Sequence, residues 1–244
     1  MRPTRLVGAI RREQPLRTLR SRLLVAFPWE IGYLRFLWLT RGARSPLAFE
    51  QPDEATKETE YSASYLTHYR PDRRVQWTMF LLASIPDCEK DSLLVIGPRY
   101  EPEILMAQGL GWNPAGIRGL DTFSYSPRID LGDMHSLPYD DASFASIVCA
   151  WTLSYSDRPE VATAEMQRVL RPGGYLVVSM QKVGEGYSDV LPGVRQGEDR
   201  IQTLQQLDGL YAGLERVAGF EPAVAPGEYG QTIAAYRKPD DRAR

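Results

Sequence analysis

From residue 92 onward the chain alternates short, unbroken apolar runs with amphipathic stretches. Ser92–Gly97 (SLLVIG) is apolar and β-rich, and a glycine closes it. That pattern predicts a strand buried on both faces, as in a parallel sheet. Glu101–Leu110 predicts a helix, and Gly116–Leu120 a weaker strand just before Asp121. Phe144–Trp151 (FASIVCAW) predicts a further strand. Asp157 followed by Glu160 has the form of a helix N-terminus with Asp157 as cap. Val161, Ala164, Met166, Val169 and Leu170 lie along that helix, and Pro172-Gly173-Gly174 stops it. Tyr175–Met180 (YLVVSM) predicts the next strand. Ile201, Leu204, Leu207, Tyr211, Leu214 and Val217 recur three or four apart, predicting a long helix over about 198–218. Runs at Ala223–Ala225 and Thr232–Tyr236 predict a closing antiparallel hairpin. Alternating strands and helices of this kind make an α/β fold, a doubly wound, mostly parallel sheet with helices on both faces. Ligands in such sheets bind beyond the carboxyl ends of the strands, where the strand order reverses. The loops after Gly97, Leu120, Trp151 and Met180 are therefore the candidate site.

Upstream the pattern changes. Val75–Ser84 predicts a helix with Trp77, Phe80, Leu81 and Leu82 available for packing. Tyr61, Tyr65 and Tyr69 recur every fourth residue, one face of a helix that Pro71 ends. Residues 45–60 (SPLAFEQPDEATKETE) are polar, acidic and contain two prolines, the composition of a linker or exposed loop. The expected division is a helical, basic, aromatic N-terminal extension with its linker over 1–60, and an α/β domain over 61–244.

Charge separates the same two parts. The formal net charge is -2. Residues 1–44 nevertheless carry ten Arg against Glu13 and Glu30, or +8, which leaves 19 basic and 29 acidic residues, or -10, for 45–244. The arm also holds Phe27, Trp29, Tyr33, Phe36 and Trp38. Arg22, Glu30, Arg35 and Arg41 interrupt its apolar stretch, so no window is long and uncharged enough for a membrane span. No clean apolar core runs into a small-residue cleavage site either, which argues against a secretory signal. Two readings stay open: peripheral contact with anionic lipid or an acidic partner, or an amphipathic helix packed on the body.

The chain has 244 residues, 43% of them hydrophobic, ample for a sizeable core. Cys88 and Cys149 are its only cysteines, and His68 and His135 its only histidines, so neither a disulfide framework nor a four-cysteine zinc site can form. No metal is expected.

Four blocks occur in order between Leu93 and Met180: LLVIG (93–97), GLD (119–121), GDMHSLPYDDASF (132–144) and RVLRPGGYLVVS (168–179). Together they resemble the class I S-adenosylmethionine-dependent methyltransferases of the small-molecule type. The resemblance covers about 90 residues, and the last two blocks are its specific part. It implies a Rossmann-like fold, S-adenosyl-L-methionine as cofactor, a small-molecule or membrane-associated methyl acceptor, and a cytoplasmic place, peripheral to a membrane if the arm binds lipid.

The same resemblance distributes roles. Gly97 and Pro98 form the turn after the first strand, where a glycine lets backbone amides approach a ligand. Asp121, with Thr122, stands where an acid accepts the ribose hydroxyls. Asp133 and Met134 stand where adenine is held, and Trp151 faces the methyl-donor pocket. The family's first loop carries three alternate glycines. Here the positions read Gly97, Arg99 and Glu101, and the resemblance then implies a substitute wiring in which Arg99 pairs with the cofactor carboxylate and Glu101 or Glu103 with its amino group. His135 and Tyr155 are the candidate general bases, with His68 and Tyr69 further options. Each has a plainer reading as a packing or loop residue, and Cys149 reads as a buried core thiol. Asp133 follows Asp121 by only twelve positions, leaving little room for a crossover helix. A binding protein that kept the fold and lost turnover is the alternative. A dinucleotide reductase is disfavoured because residues 97–101 do not read G-x-G-x-x-G. Nucleic acid is not an expected partner of the acidic body.

Deleting residues 1–44 is expected to leave cofactor affinity unchanged and to change sedimentation with anionic liposomes at low salt. Absence of liposome binding by the intact chain removes the lipid reading.

Overall fold

The computed structural model describes residues 47–48, 73–98, 101–124, 126–187 and 200–240. The arm, the Tyr61–Tyr69 stripe with His68, Arg99 and most of the glycine-rich stretch 183–200 lie outside the described residues. The elements are β1 (Leu47–Ala48), α1 (Arg73–Ala83), β2 (Leu93–Ile96), α2 (Glu101–Gly109), β3 (Ile117–Asp121), β4 (Phe123–Ser124), β5 (Ile129–Leu131), β6 (Phe144–Ala150), α3 (Pro159–Val169), β7 (Leu170–Val183), α4 (Leu204–Leu210), β8 (Glu215–Phe220) and β9 (Tyr229–Arg237). Single turns of 3-10 helix occupy Pro114–Gly116 and Thr152–Tyr155.

Seven strands form one sheet in the order β5-β3-β2-β6-β7-β9-β8. All four residues of β2 and all seven of β6 are buried, which is why these strands are apolar at every position except Ser146, whose hydroxyl bonds to the Glu89 carbonyl at 3.2 Å. One face carries α1 and α2 over Val95, Val148, Val177 and Ala235. The other carries α3, α4 and the loop 132–143 over Ile96, Ile147, Val178 and Tyr236. The sheet is thus doubly wound, as the alternation predicts.

Three expectations need correction. The long helix ends early: α4 stops at Leu210, and Leu214–Val217 leads into β8. Thr203 and Gln206 form a reciprocal capping box that starts α4 sharply. Gly209 and Gly213 then lower helix propensity, and pairing with β9 wins over the apolar period. The closing hairpin is β8–β9, earlier and longer than the two runs suggested. Only β9 is reversed: it runs antiparallel to both β7 and β8, so the outermost strand is parallel to β7. Finally, the cap of α3 is Arg158, which makes no side-chain capping bond, with Pro159 in the first turn. Asp157 stays outside the helix because Ser156 Oγ already accepts from the Arg158 amide at 3.1 Å.

The crossover from β3 to β5 has no helix, as its length implies. Residues 122–128 make the connection, where a parallel crossover ordinarily takes a dozen or more. Serines replace the helix. Ser124 Oγ lies 2.9 Å from the Ser126 carbonyl and 2.6 Å from that of Ile129, and Ser126 Oγ accepts from the Arg128 amide at 3.1 Å. Leu47 and Ala48 add a two-residue antiparallel strand against β4.

The block 132–144 hangs on α3. Glu165 Oε2 accepts from the Leu137 amide at 2.8 Å, and Arg168 donates to the carbonyls of Leu137 and Tyr139 and to Asp141. Arg168 and Glu165 also pair through two parallel bonds of 2.7 and 2.8 Å. The guanidinium, then the Leu137 amide, hold the Glu165 carboxyl below its ordinary pKa against the opposing effect of burial. A depressed folded pKa stabilises the fold above the unfolded value of about 4.3, and the contribution disappears as pH falls through the folded value. Glu165→Gln is therefore expected to cost about 1–3 kcal/mol at neutral pH. The gap to wild type should close below about pH 4, as read by urea unfolding at both pH values.

Candidate functional site

Strand register brings the expected residues to one edge. In the sheet Ile96 lies opposite Leu120 and Cys149, and Asp121 opposite Leu131. Gly97, Asp121, Thr122, Asp133 and Trp151 therefore all lie at or just beyond the carboxyl ends of neighbouring strands. The order reverses between β2 and β6, directly beneath Gly97.

Gly97 is required there. Its φ is +70°, and an added Cβ would lie 2.1 Å from Thr152 Oγ1. Its amide donates to the Leu120 carbonyl at 2.8 Å, which ties the turn to β3. Thr152 is held over it by a 3.1 Å bond to the Ile96 carbonyl. Pro98 is buried and folds back across Gly119, whose missing Cβ leaves it room. Glu101 and Glu103 begin α2, each 1% exposed. Glu101 accepts from the Ser126 hydroxyl, and Glu103 pairs with Arg74 at 3.4 Å. Arg74 also donates to the Ala150 carbonyl at 2.8 Å, so α1, the start of α2 and the end of β6 meet on one guanidinium.

Asp121 is half-buried, with the Thr122 hydroxyl 3.4 Å from its Oδ1. Its main-chain carbonyl accepts from Gly132 at 3.0 Å, joining the acid of β3 to the block that follows β5. Met134 packs against the core on the α3 side. His135 is engaged at both ring nitrogens: Nδ1 is 2.6 Å from Asp133 Oδ1, and Nε2 is 2.7 Å from Ser156 Oγ. Asp133 Oδ1 also accepts the His135 amide at 2.9 Å. The imidazole thus spans the loops after β5 and β6. In the neutral ring with Nδ1 protonated, Nε2 accepts from Ser156.

Trp151 closes β6 in a left-handed backbone conformation, φ 65°, rare for a bulky side chain. Its ring meets Tyr229 edge-on at 6.2 Å, and Tyr229 meets Tyr187 at 5.6 Å. The indole Nε1 is buried without a hydrogen-bond partner. Trp151 also walls a cavity of about 940 Å³ between α1 and the β8–β9 hairpin, lined by Trp77, Phe80, Phe220, Tyr229 and Ile233 among others. Tyr155, half-buried, ends the 3-10 turn after Trp151. Cys149 is fully buried, and burial pushes its thiol up to about 12, which excludes it as a nucleophile. Among the described residues no three His, Cys, Asp or Glu side chains group as a metal site.

Residues 116–178 match the family described as a methyltransferase domain. That stretch runs from the turn before β3 into the middle of β7. Relatives of the chain include a demethylmenaquinone methyltransferase of Deinococcus radiodurans, 38% identical over 85 residues, 34% of this chain and 32% of that protein. A phthiotriol/phenolphthiotriol dimycocerosates methyltransferase of Mycobacterium leprae is 33% identical over 108 residues, 40% of this chain and 36% of that one. The chain thus spans about a third of the length of these relatives. Among solved structures, the 1,6-didemethyltoxoflavin-N1-methyltransferase of Burkholderia thailandensis shares the fold at TM-score 0.50 and 14% identity, over 80% of this chain and 95% of that one. A chain of a methyltransferase–activator complex from Haloferax volcanii does so at 0.52 and 17%, over 77% and 96%.

Arg74, Ser126, Thr152 and Ser156 went unread in the sequence. Arg74 had a signal. It lies on the buried stripe of α1 with Val75, Thr78, Met79 and Leu82, so a charge there must be paired. The serines and Thr152 carry no pattern that marks them.

Gly97→Ala must accept both the left-handed backbone and the Thr152 contact. It is expected to lose about 2–4 kcal/mol of stability, at the upper end of ordinary single substitutions, measured by thermal and urea unfolding. Gly186→Ala, at φ +73° with nothing within 4 Å, carries the backbone cost alone, about 1–2 kcal/mol.

Proposed function

We propose that this domain binds S-adenosyl-L-methionine at the β2/β6 switch point and transfers its methyl group to a small-molecule acceptor. One observation carries the reading: a glycine turn that no side chain can enter stands beside an acid closing the next strand, at the edge where α/β sheets bind ligands. Gly97 and Pro98 form the floor of the donor site. Asp121, backed by Thr122, accepts the ribose hydroxyls. Asp133 and Met134 take the adenine, with Asp133 set by its bond to His135. Arg99 and Glu101 serve the amino-acid tail, and Trp151 walls the side from which the acceptor comes.

When bound, the cofactor supplies a methyl group on a sulfonium, and its transfer to an acceptor nucleophile leaves a neutral thioether and releases the acceptor's proton. The protein's part is orientation and exclusion of water. His135 acts as a base only if Ser156 releases Nε2. Tyr155, on the same loop, is the second candidate. The aromatic cavity beside Trp151 offers room for an apolar acceptor. The relatives named for demethylmenaquinone and phthiotriol methylation are compatible with one. No helix among the described residues is long and apolar enough to cross a membrane. Access to a lipid-borne acceptor would then fall to peripheral contact by residues 1–44.

The second reading, a cofactor-binding protein without turnover, is favoured by the double engagement of His135. Calorimetry separates the two from each other and from a reductase. S-adenosylmethionine and its demethylated product should bind and NADH should not. Asp121→Ala should weaken both sulfur nucleotides at least about tenfold, the loss of one to two charge-assisted hydrogen bonds. Binding of NADH alone removes the methyl-transfer reading. Nucleotide binding without methyl-labelled product from cell extract selects the second one.

A further inference from the structure

The end of β7 holds a charge that no described acid answers. Arg200 is 6% exposed. Its Nη2 donates to the side-chain oxygen of Gln181 on β7, while its Nε is buried without a hydrogen-bond partner. No carboxylate pairs with it among the described residues. The phenols of Tyr187 and Tyr155 are close enough to act on it electrostatically. A buried cation without a counter-charge costs several kcal/mol unless something pairs with it. Nor does the side chain anchor the local backbone. That is done by the Arg200 carbonyl, which accepts from Gln206 Nε2 at 3.2 Å, and by the capping box of α4 beyond it.

The surroundings say what would fit. The Gln181 amide reaches the Tyr187 hydroxyl at 3.4 Å, Tyr187 packs on Tyr229, and Tyr229 on Trp151. An aromatic path therefore runs from Arg200 to the wall of the donor site, on the side away from Asp121. A guanidinium with an unmet Nε donor matches a planar oxyanion, which it can grip through two parallel bonds. We propose that Arg200 binds a carboxylate of the methyl acceptor, carried on a planar ring and bounded by Tyr155 and Tyr187. The assignment to the acceptor rests on the methyl-transfer reading. The anion site itself does not.

The test is thermal unfolding of the intact chain with benzoate, and with benzamide as its uncharged counterpart. Benzoate at about 10 mM should raise the wild-type Tm by at least about 2 °C, and benzamide should not. Arg200→Met removes the charge while keeping an extended apolar stem. It should melt at or above the wild-type temperature and lose the benzoate response, and Arg200→Lys should keep part of it. A wild type indifferent to benzoate overturns the proposal. So does an Arg200→Met protein that melts well below wild type, since the guanidinium would then serve the fold through Gln181. An unchanged benzoate response in Arg200→Met overturns it equally. Calorimetry with S-adenosylhomocysteine runs alongside, and Arg200→Met should bind it within about twofold of wild type. Benzoate binding without nucleotide binding fails the methyl-transfer reading and leaves the anion site standing. The converse fails the anion site alone.

Discussion

Parallel pairing of β2 with β3 on one side and β6 on the other is the constraint on which the rest depends. It aligns three strand ends, so residues distant in the chain (Gly97, Asp121 and Trp151) share one edge. It also requires every β2 side chain to be apolar, because both faces are covered. The close approach of Thr152 to Gly97 is a local consequence, since two neighbouring parallel strands must turn away from the same edge within one or two residues.

Around that edge, charge is arranged to hold loops. Arg74 ties α1 to β6 and α2, Arg168 and Glu165 hang the block 132–144 on α3, and His135 links that block to the turn after β6. These contacts are partly or fully buried, so each lost partner leaves an unmet charge or donor behind. The family-like blocks in the sequence are thus attachment points for irregular backbone. Arg168 and Leu137, both in those blocks, are joined by a hydrogen bond from the guanidinium to the Leu137 carbonyl.

The strands were legible because burial on both faces leaves an unbroken apolar run, and β2, β3 and β6 start and stop within a residue or two of expectation. The β3–β5 crossover was legible by arithmetic alone, since residues 122–128 cannot hold a helix and a return. The end of the chain was not. The period of three and four from Ile201 to Val217 is shared by a seven-residue helix and an exposed edge strand, and only the competition for β9 decides between them. At the site, Asp121 and Gly97 were readable because their types follow from position in the fold. Arg74 and Arg200 were not read, because what distinguishes them is burial, and partners such as Ala150 and Glu103 for Arg74, and Gln181 for the Arg200 side chain, are distant in the chain.

Trp151 shows what such a design entails. Its left-handed backbone costs about 1–2 kcal/mol that glycine would not incur, and the indole Nε1 adds an unmet donor. Selection for stability alone would replace it with glycine and remove the wall of the pocket in the same step. A tryptophan retained at that position is a point where endurance has been traded for shape, and a library screened only for heat resistance would be drawn toward folded proteins that have lost it.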